Sequence, residues 1–175
     1  MATVTCPYKN MNRDLQISSY VLDMMLRHAE REYPNEACGI VIGPKEKRVA
    51  IGVFPVKNIQ DELHAKDPQR YPREAKTAYQ MDPREVRIVE KEAESKGFEV
   101  KLFYHSHPEH GVYFSEEDRA IACPWGEPSY PEVGHVVISV EKGKAVAASE
   151  FFWNPDAKDF EERKLKSNQG ESHGH

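Results

Sequence analysis

Cysteine is scarce in this chain. Only Cys6, Cys38 and Cys123 occur in 175 residues, odd in number and widely spaced. No Cys-x-x-Cys pair exists, so neither a cysteine zinc knuckle nor a disulfide framework is supported. Long apolar runs are missing too. Met1 to Leu15 mixes Lys9, Arg13 and Asp14 among polar residues and lacks the apolar stretch of a signal peptide. No later segment approaches the ~20 apolar residues of a membrane span. Positive charge is not in excess: 24 Lys and Arg face 29 Asp and Glu, for a net charge of -5. That balance gives no electrostatic reason to expect nucleic acid. These absences imply a cytoplasmic protein without nucleic-acid or membrane partners.

What is present fits one soluble globular domain, with 39% hydrophobic and 30% charged residues and a length sufficient for one core. Ile17, Tyr20, Val21, Met24, Met25 and His28 recur at helical spacing after an opening marked by Ser18 and Ser19. His28 reads as a core or boundary histidine. Pro34 and Asn35 end that helix, and Ala37 to Ile42 and Arg48 to Val56 read as strands. Lys57 to Thr77 has the polar, proline-containing composition of a long loop. Asp82, Pro83 and Glu85 open a second helix as cap, first residue and capping-box partner, and Gly97 closes it.

Phe98 to Tyr104 reads as a strand running into His105-Ser106-His107-Pro108. Ser115 starts another helix, and a Pro- and Gly-rich link from Pro124 to Gly134 follows. Val136, Ile138 and Val140 alternate along the next strand, and Lys142-Gly143 turns the chain into Ala145 to Trp153. The order gives an α/β class, a mixed sheet flanked by helices. The expected division is an N-terminal segment 1–16, a domain 17–155, and a tail 156–175 that begins as a short helix and ends disordered from Ser167 to His175.

Two histidines at i and i+2 on an extended segment point to the same side, where both imidazoles reach one metal ion. The pair alone says little: with eight histidines in the chain, His-x-His arises by chance roughly one time in three. Asp118, on the first turn of the following helix, offers a third ligand, although Ser115-x-x-Asp118 is equally a capping box. His, His and Asp with a fourth position left to water is the ligand set of a catalytic zinc. His110 is a weaker candidate ligand in the adjoining loop. Cys38 reads as a small buried hydrophobe, and Glu36 taken alone as an exposed carboxylate at a strand edge. Cys123, His135 and the tail histidines assemble no second metal site. A cupin site needs a glutamate where Gly111 and Val112 stand, a deaminase site needs Pro-Cys-x-x-Cys, and a thermolysin-like site needs His-Glu-x-x-His; all three are missing.

Taken together, Glu36-Ala-Cys-Gly-Ile-Val-Ile-Gly, His105-Ser-His107-Pro, seven residues between His107 and Ser115, and Asp118 resemble the JAMM/MPN metallopeptidases. The resemblance runs from Ile17 to about Trp153. It implies a single MPN domain of cytidine-deaminase-like fold and one Zn2+ per chain on His105, His107 and Asp118. It also implies Glu36 as the acid/base and Ser115 as a donor to the oxyanion. Members lacking ligands serve as scaffolds, whereas this chain fills every ligand position. The compact form, without a ubiquitin-binding domain or a zinc-bearing insertion, resembles members that cleave after the Gly-Gly terminus of a ubiquitin-like sulfur-carrier protein. Oligomeric state stays open, a homodimer included. Tyr71, Tyr79, Tyr113 and Phe114 are candidate substrate contacts or core residues.

Overall fold

A computed structural model describes residues 15–166; the expected disorder of 167–175, most of the N-terminal segment and Cys6 lie outside them. Helix α1 (Ser19–Glu32) is capped by Ser18, whose side chain accepts from the Val21 amide at 3.2 Å. Its buried face is Val21, Leu22, Met25, Leu26, His28 and Ala29. The helix therefore turns Tyr20 and Met24 outward, a rotation of the expected stripe. Ile17 belongs to the short strand β1 (Gln16–Ile17), which pairs in parallel with β3 (Val49–Ala50).

Six strands form the main sheet: β2 (Cys38–Pro44), β4 (Gly52–Val56), β5 (Phe98–Pro108), β6 (Gly134–Glu141), β7 (Lys144–Asn154) and β8 (Asp159–Leu165). Their order is β4-β2-β5-β6-β7-β8. Only β5 and β6 run parallel, so the sheet is mixed as expected. Alternation divides β2 and β5 between two layers, and a bulge at Lys101 switches the faces of β5. Val41, Leu102 and Tyr104 meet α1 in one core, while Ile40, Ile42 and Val100 pack with Val86, Val89 and Ala93 of α3 (Pro83–Ser95) in a second. Gly39 is required in the first: a β-carbon there would lie 2.3 Å from the Tyr104 ring. The space admits Tyr104, whose hydroxyl meets His28 Nδ1 at 2.8 Å, so His28 is the satisfied core histidine the pattern implied.

Three local expectations change, and one alternative left open is decided. The Lys57 to Thr77 loop contains a two-turn helix, α2 (Gln60–Lys66). Asp82 caps α3 as expected, accepting from the Arg84 amide at 2.9 Å. Glu85 closes no capping box, because the Asp82 amide already donates to Lys57 O and the Glu85 carboxylate instead accepts from the Lys57 amide at 2.7 Å. The expected short helix after Asp156 is strand β8, and the sheet extends past residue 155 to Leu165. Phe114 is core, packed with Phe151 and Phe160. Lys142 and Gly143 both have positive φ, as a tight hairpin turn between right-twisted strands requires. Among the described residues no helix is long and apolar enough to cross a membrane.

Candidate metal centre

The end of β5 carries His105 and His107 on the α3 side of the sheet and Ser106 on the α1 side. Ser106 locks β5 to the start of β2: its hydroxyl accepts from the Ala37 amide at 2.7 Å, and its amide donates to Ala37 O at 3.0 Å. Cys38 pairs with His105 in the antiparallel register, so Glu36, just ahead of β2, falls beside His107. Glu36 is 7% exposed, not the exposed edge carboxylate its sequence context suggests. Burial pushes its carboxyl up to about 8, with His107 pulling it down and Asp118 adding to the rise.

Asp118 comes from helix α4 (Glu116–Ala122). Its capping box is complete: Ser115 Oγ accepts from the Asp118 amide, and the Ser115 amide donates to Asp118 Oδ2, both at 3.0 Å. The same Oδ2 lies 3.3 Å from His105 Nε2 and 3.7 Å from His107 Nε2, and the two Nε2 atoms are 3.1 Å apart. The side chain that completes the cap thus also faces both histidines. Against a burial penalty, the two histidines beside it hold the Asp118 carboxyl well below its usual range. Burial lowers the His105 imidazole. Burial also opposes protonation of His107, but the neighbouring Asp118 carboxylate and the Gly111 carbonyl outweigh this and raise it.

His107 Nδ1 lies 3.1 Å from Gly111 O. A carbonyl only accepts, so the proton sits on Nδ1 and a neutral His107 presents a bare Nε2 toward Asp118. A bare nitrogen and a carboxylate, both buried and turned on one point, are satisfied by a cation. The ligand atoms of His105, His107 and Asp118 lie within 4.8 Å of one another, close enough to hold one metal ion. Two imidazoles and a carboxylate suit zinc, and three protein ligands are typical of a catalytic rather than a structural site. His110 is outside this group; it lines the cleft while its carbonyl accepts from Ser139.

The centre opens on a cleft of about 710 Å³ whose walls include Glu36, Tyr79, His107, Tyr113, Ser115 and Asp118. Tyr79 stacks on His105 with centroids 4.5 Å apart, and Tyr113 packs on His107 at 4.8 Å. Tyr71 also lines the cleft. Arg73 donates to Glu117 at 2.6 Å, joining the α2–α3 connection to α4.

One contributor escapes the sequence patterns. Asn58 donates to Glu36 O and Ala78 O and accepts from the amides of Gln60 and Gln80, using all four of its hydrogen-bonding positions to fix the backbone at Glu36 and beside Tyr79. Nothing in a lone loop asparagine signals this.

The sheet order, the flanking helices and the His-His-Asp group define a compact JAMM/MPN protein. Residues 18–155 match the family described as prokaryotic homologs of the JAB domain, and the chain belongs to that family. It is 30% identical over 109 residues to a desampylase from Haloferax volcanii, covering 60% of this chain and 70% of that protein. It is 27% identical over 125 residues to a CysO-cysteine peptidase from Mycobacterium tuberculosis, covering 71% and 73%. A solution structure of a protein from Desulfitobacterium hafniense superposes with a TM-score of 0.60 at 26% identity, covering 88% of this chain and 94% of that one. A Salinibacter ruber protein shares the fold, with a TM-score of 0.57 at 21% identity over 88% and 92% of the two chains.

Proposed function

We propose that this chain is a zinc-dependent peptidase or isopeptidase. Its substrate is the amide bond after the C-terminal Gly-Gly of a small ubiquitin-like or sulfur-carrier protein, and cleavage releases cysteine, a short extension or a conjugated lysine. The observation that carries the reading is the convergence of His105, His107 and Asp118 on one point with Glu36 and Ser115 in the same cleft. The named relatives, a desampylase and a CysO-cysteine peptidase, support it.

Zinc on the three ligands supplies Lewis acidity, lowering the pKa of a water molecule to about 7 and polarising the scissile carbonyl. Glu36 acts as the proton carrier. Its carboxylate takes a proton from the attacking water and hands it to the leaving nitrogen. Ser115 Oγ already accepts from the Asp118 amide, which leaves its hydroxyl proton to donate to the developing oxyanion. Tyr79 and Tyr113 flank the histidines and keep the site narrow, suiting a tail of two glycines that permits close backbone approach.

Discrimination among carriers then rests on the folded body. Tyr71 on the α2–α3 connection and Tyr113 on the turn after β5 are gripping contacts, with Ile121 at the α4 end of the cleft. Interfaces of this kind draw on such aromatic side chains. The test is to incubate the zinc-loaded protein with a carrier bearing a C-terminal cysteine or short extension and follow the product by mass. Cleavage after Gly-Gly is expected, faster on the intact carrier than on its isolated tail peptide. Equal rates on both would contradict recognition of the body, and no cleavage of any extended carrier would indicate a scaffold.

A further inference from the structure

The turn after His107 is held far more firmly than a surface loop requires. Glu109 adopts a left-handed backbone, φ 60°, which a non-glycine residue keeps only when its surroundings enforce it. Three sets of contacts do so. The Glu109 amide donates to Val140 O at 2.7 Å. Glu109 Oε1 accepts from the Tyr33 hydroxyl at 2.6 Å and from the Lys142 amide at 2.7 Å. The Ser139 hydroxyl, 2% exposed, donates to His110 O at 2.6 Å.

These contacts converge on the next carbonyl, that of Gly111, which accepts from His107 Nδ1. Ser139 pairs with His107 in the parallel β5–β6 register, so it reaches the turn from the strand position beside the ring. A histidine that donates one nitrogen to a fixed acceptor has its tautomer and ring orientation set for ligation through the other.

We infer that Ser139 is a positioning residue for His107: it anchors the His110–Gly111 turn, and Glu109 with Tyr33 anchors the turn's other end, so that Gly111 O holds the His107 ring with Nε2 bare. The inference rests on the zinc reading above. Ser139 is not among the residues lining the cleft, and its hydroxyl is spent on His110 O.

The experiment measures zinc affinity of the full chain by competition with a chromophoric chelator, alongside the imidazole nitrogen spectrum of His107 in the metal-free protein and thermal melting. Ser139→Ala is expected to melt as a folded protein, to bind zinc about 10- to 100-fold more weakly and to show a mixed His107 tautomer. Ser139→Thr, which keeps the hydroxyl, restores both. Tyr33→Phe, at an exposed contact 76 residues away in sequence, gives a smaller loss in the same direction and serves where Ser139→Ala does not fold. Parental zinc affinity and an unchanged His107 tautomer in folded Ser139→Ala, or in Tyr33→Phe should that variant alone fold, would overturn the inference. A parent that binds no zinc would overturn the metal reading instead, and the tautomer comparison would still decide the role of Ser139.

Discussion

Glu36 and Ser115 share one cleft but are asked to do separable things. Glu36 is not among the three converging ligands, so metal content and turnover should part company when it is changed. Glu36→Gln is expected to keep its zinc and lose turnover by about 100- to 10,000-fold, the usual worth of a positioned acid/base. Loss of the metal, or hydrolysis at the parental rate, would show the role to be misassigned. Ser115 is a helix cap and, in the proposed mechanism, a donor to the oxyanion. Ser115→Ala should therefore lower stability by about 1 kcal/mol and slow hydrolysis by about 100- to 1,000-fold. Urea unfolding and steady-state rates on the same sample separate the two effects. A stability loss without a rate loss would leave Ser115 a cap only.

Elements were legible where one residue type carried the signal. Asp82-Pro83 marks the start of α3, Lys142-Gly143 the hairpin turn, and alternating valines and isoleucines the buried strand β6. Strand β8 was not, because its sequence Asp-Phe-Glu-Glu-Arg-Lys-Leu carries its alternation mostly on charged residues. It is an edge strand held by Ser149–Glu162 and Arg163–Glu150 hydrogen bonds, which is how edges avoid pairing with other chains. Helix α2 was hidden because it has no side-chain cap and only one buried residue, Gln60. In the site, the spacing of His105, His107, Ser115 and Asp118 was visible, and so was the shared side of the two histidines. The burial of Glu36 was not, since it depends on Asn58 and on Ala75, contacts distant in sequence. Strand β8 also brings Phe160 against His135 on β6, whose ring is surrounded by Phe103, Phe114 and Phe160. Burial lowers His135 to about 4, and the charge of His105 adds to the shift. The unfolded chain takes up that proton first, near 6.5, so His135 contributes stability that is complete above pH 6.5 and is lost as pH falls toward 4. The contribution is at most about 3 kcal/mol. Urea unfolding across that range should show a shallower acid loss for His135→Phe than for the parent; parallel curves would refute the assignment.

At the scale of the whole molecule, one sheet holds the chemistry in place. The β2–β5 lock at Ser106 sets Glu36 beside the histidines, the parallel β5–β6 pair sets Ser139 beside His107, and α4 delivers Asp118 from the far wall. Two cores on opposite faces keep these elements from shifting, so the site's geometry belongs to the scaffold more than to any loop. The sharpest test reads metal and catalysis on the same preparations: zinc per chain, by elemental analysis, and cleavage of a Gly-Gly extended carrier, by mass. The parent is expected to hold one zinc per chain and to cleave. His107→Ala is expected to stay folded while losing most of its zinc and its activity. Full zinc retention by folded His107→Ala, or cleavage undiminished after its zinc is lost, would contradict the account.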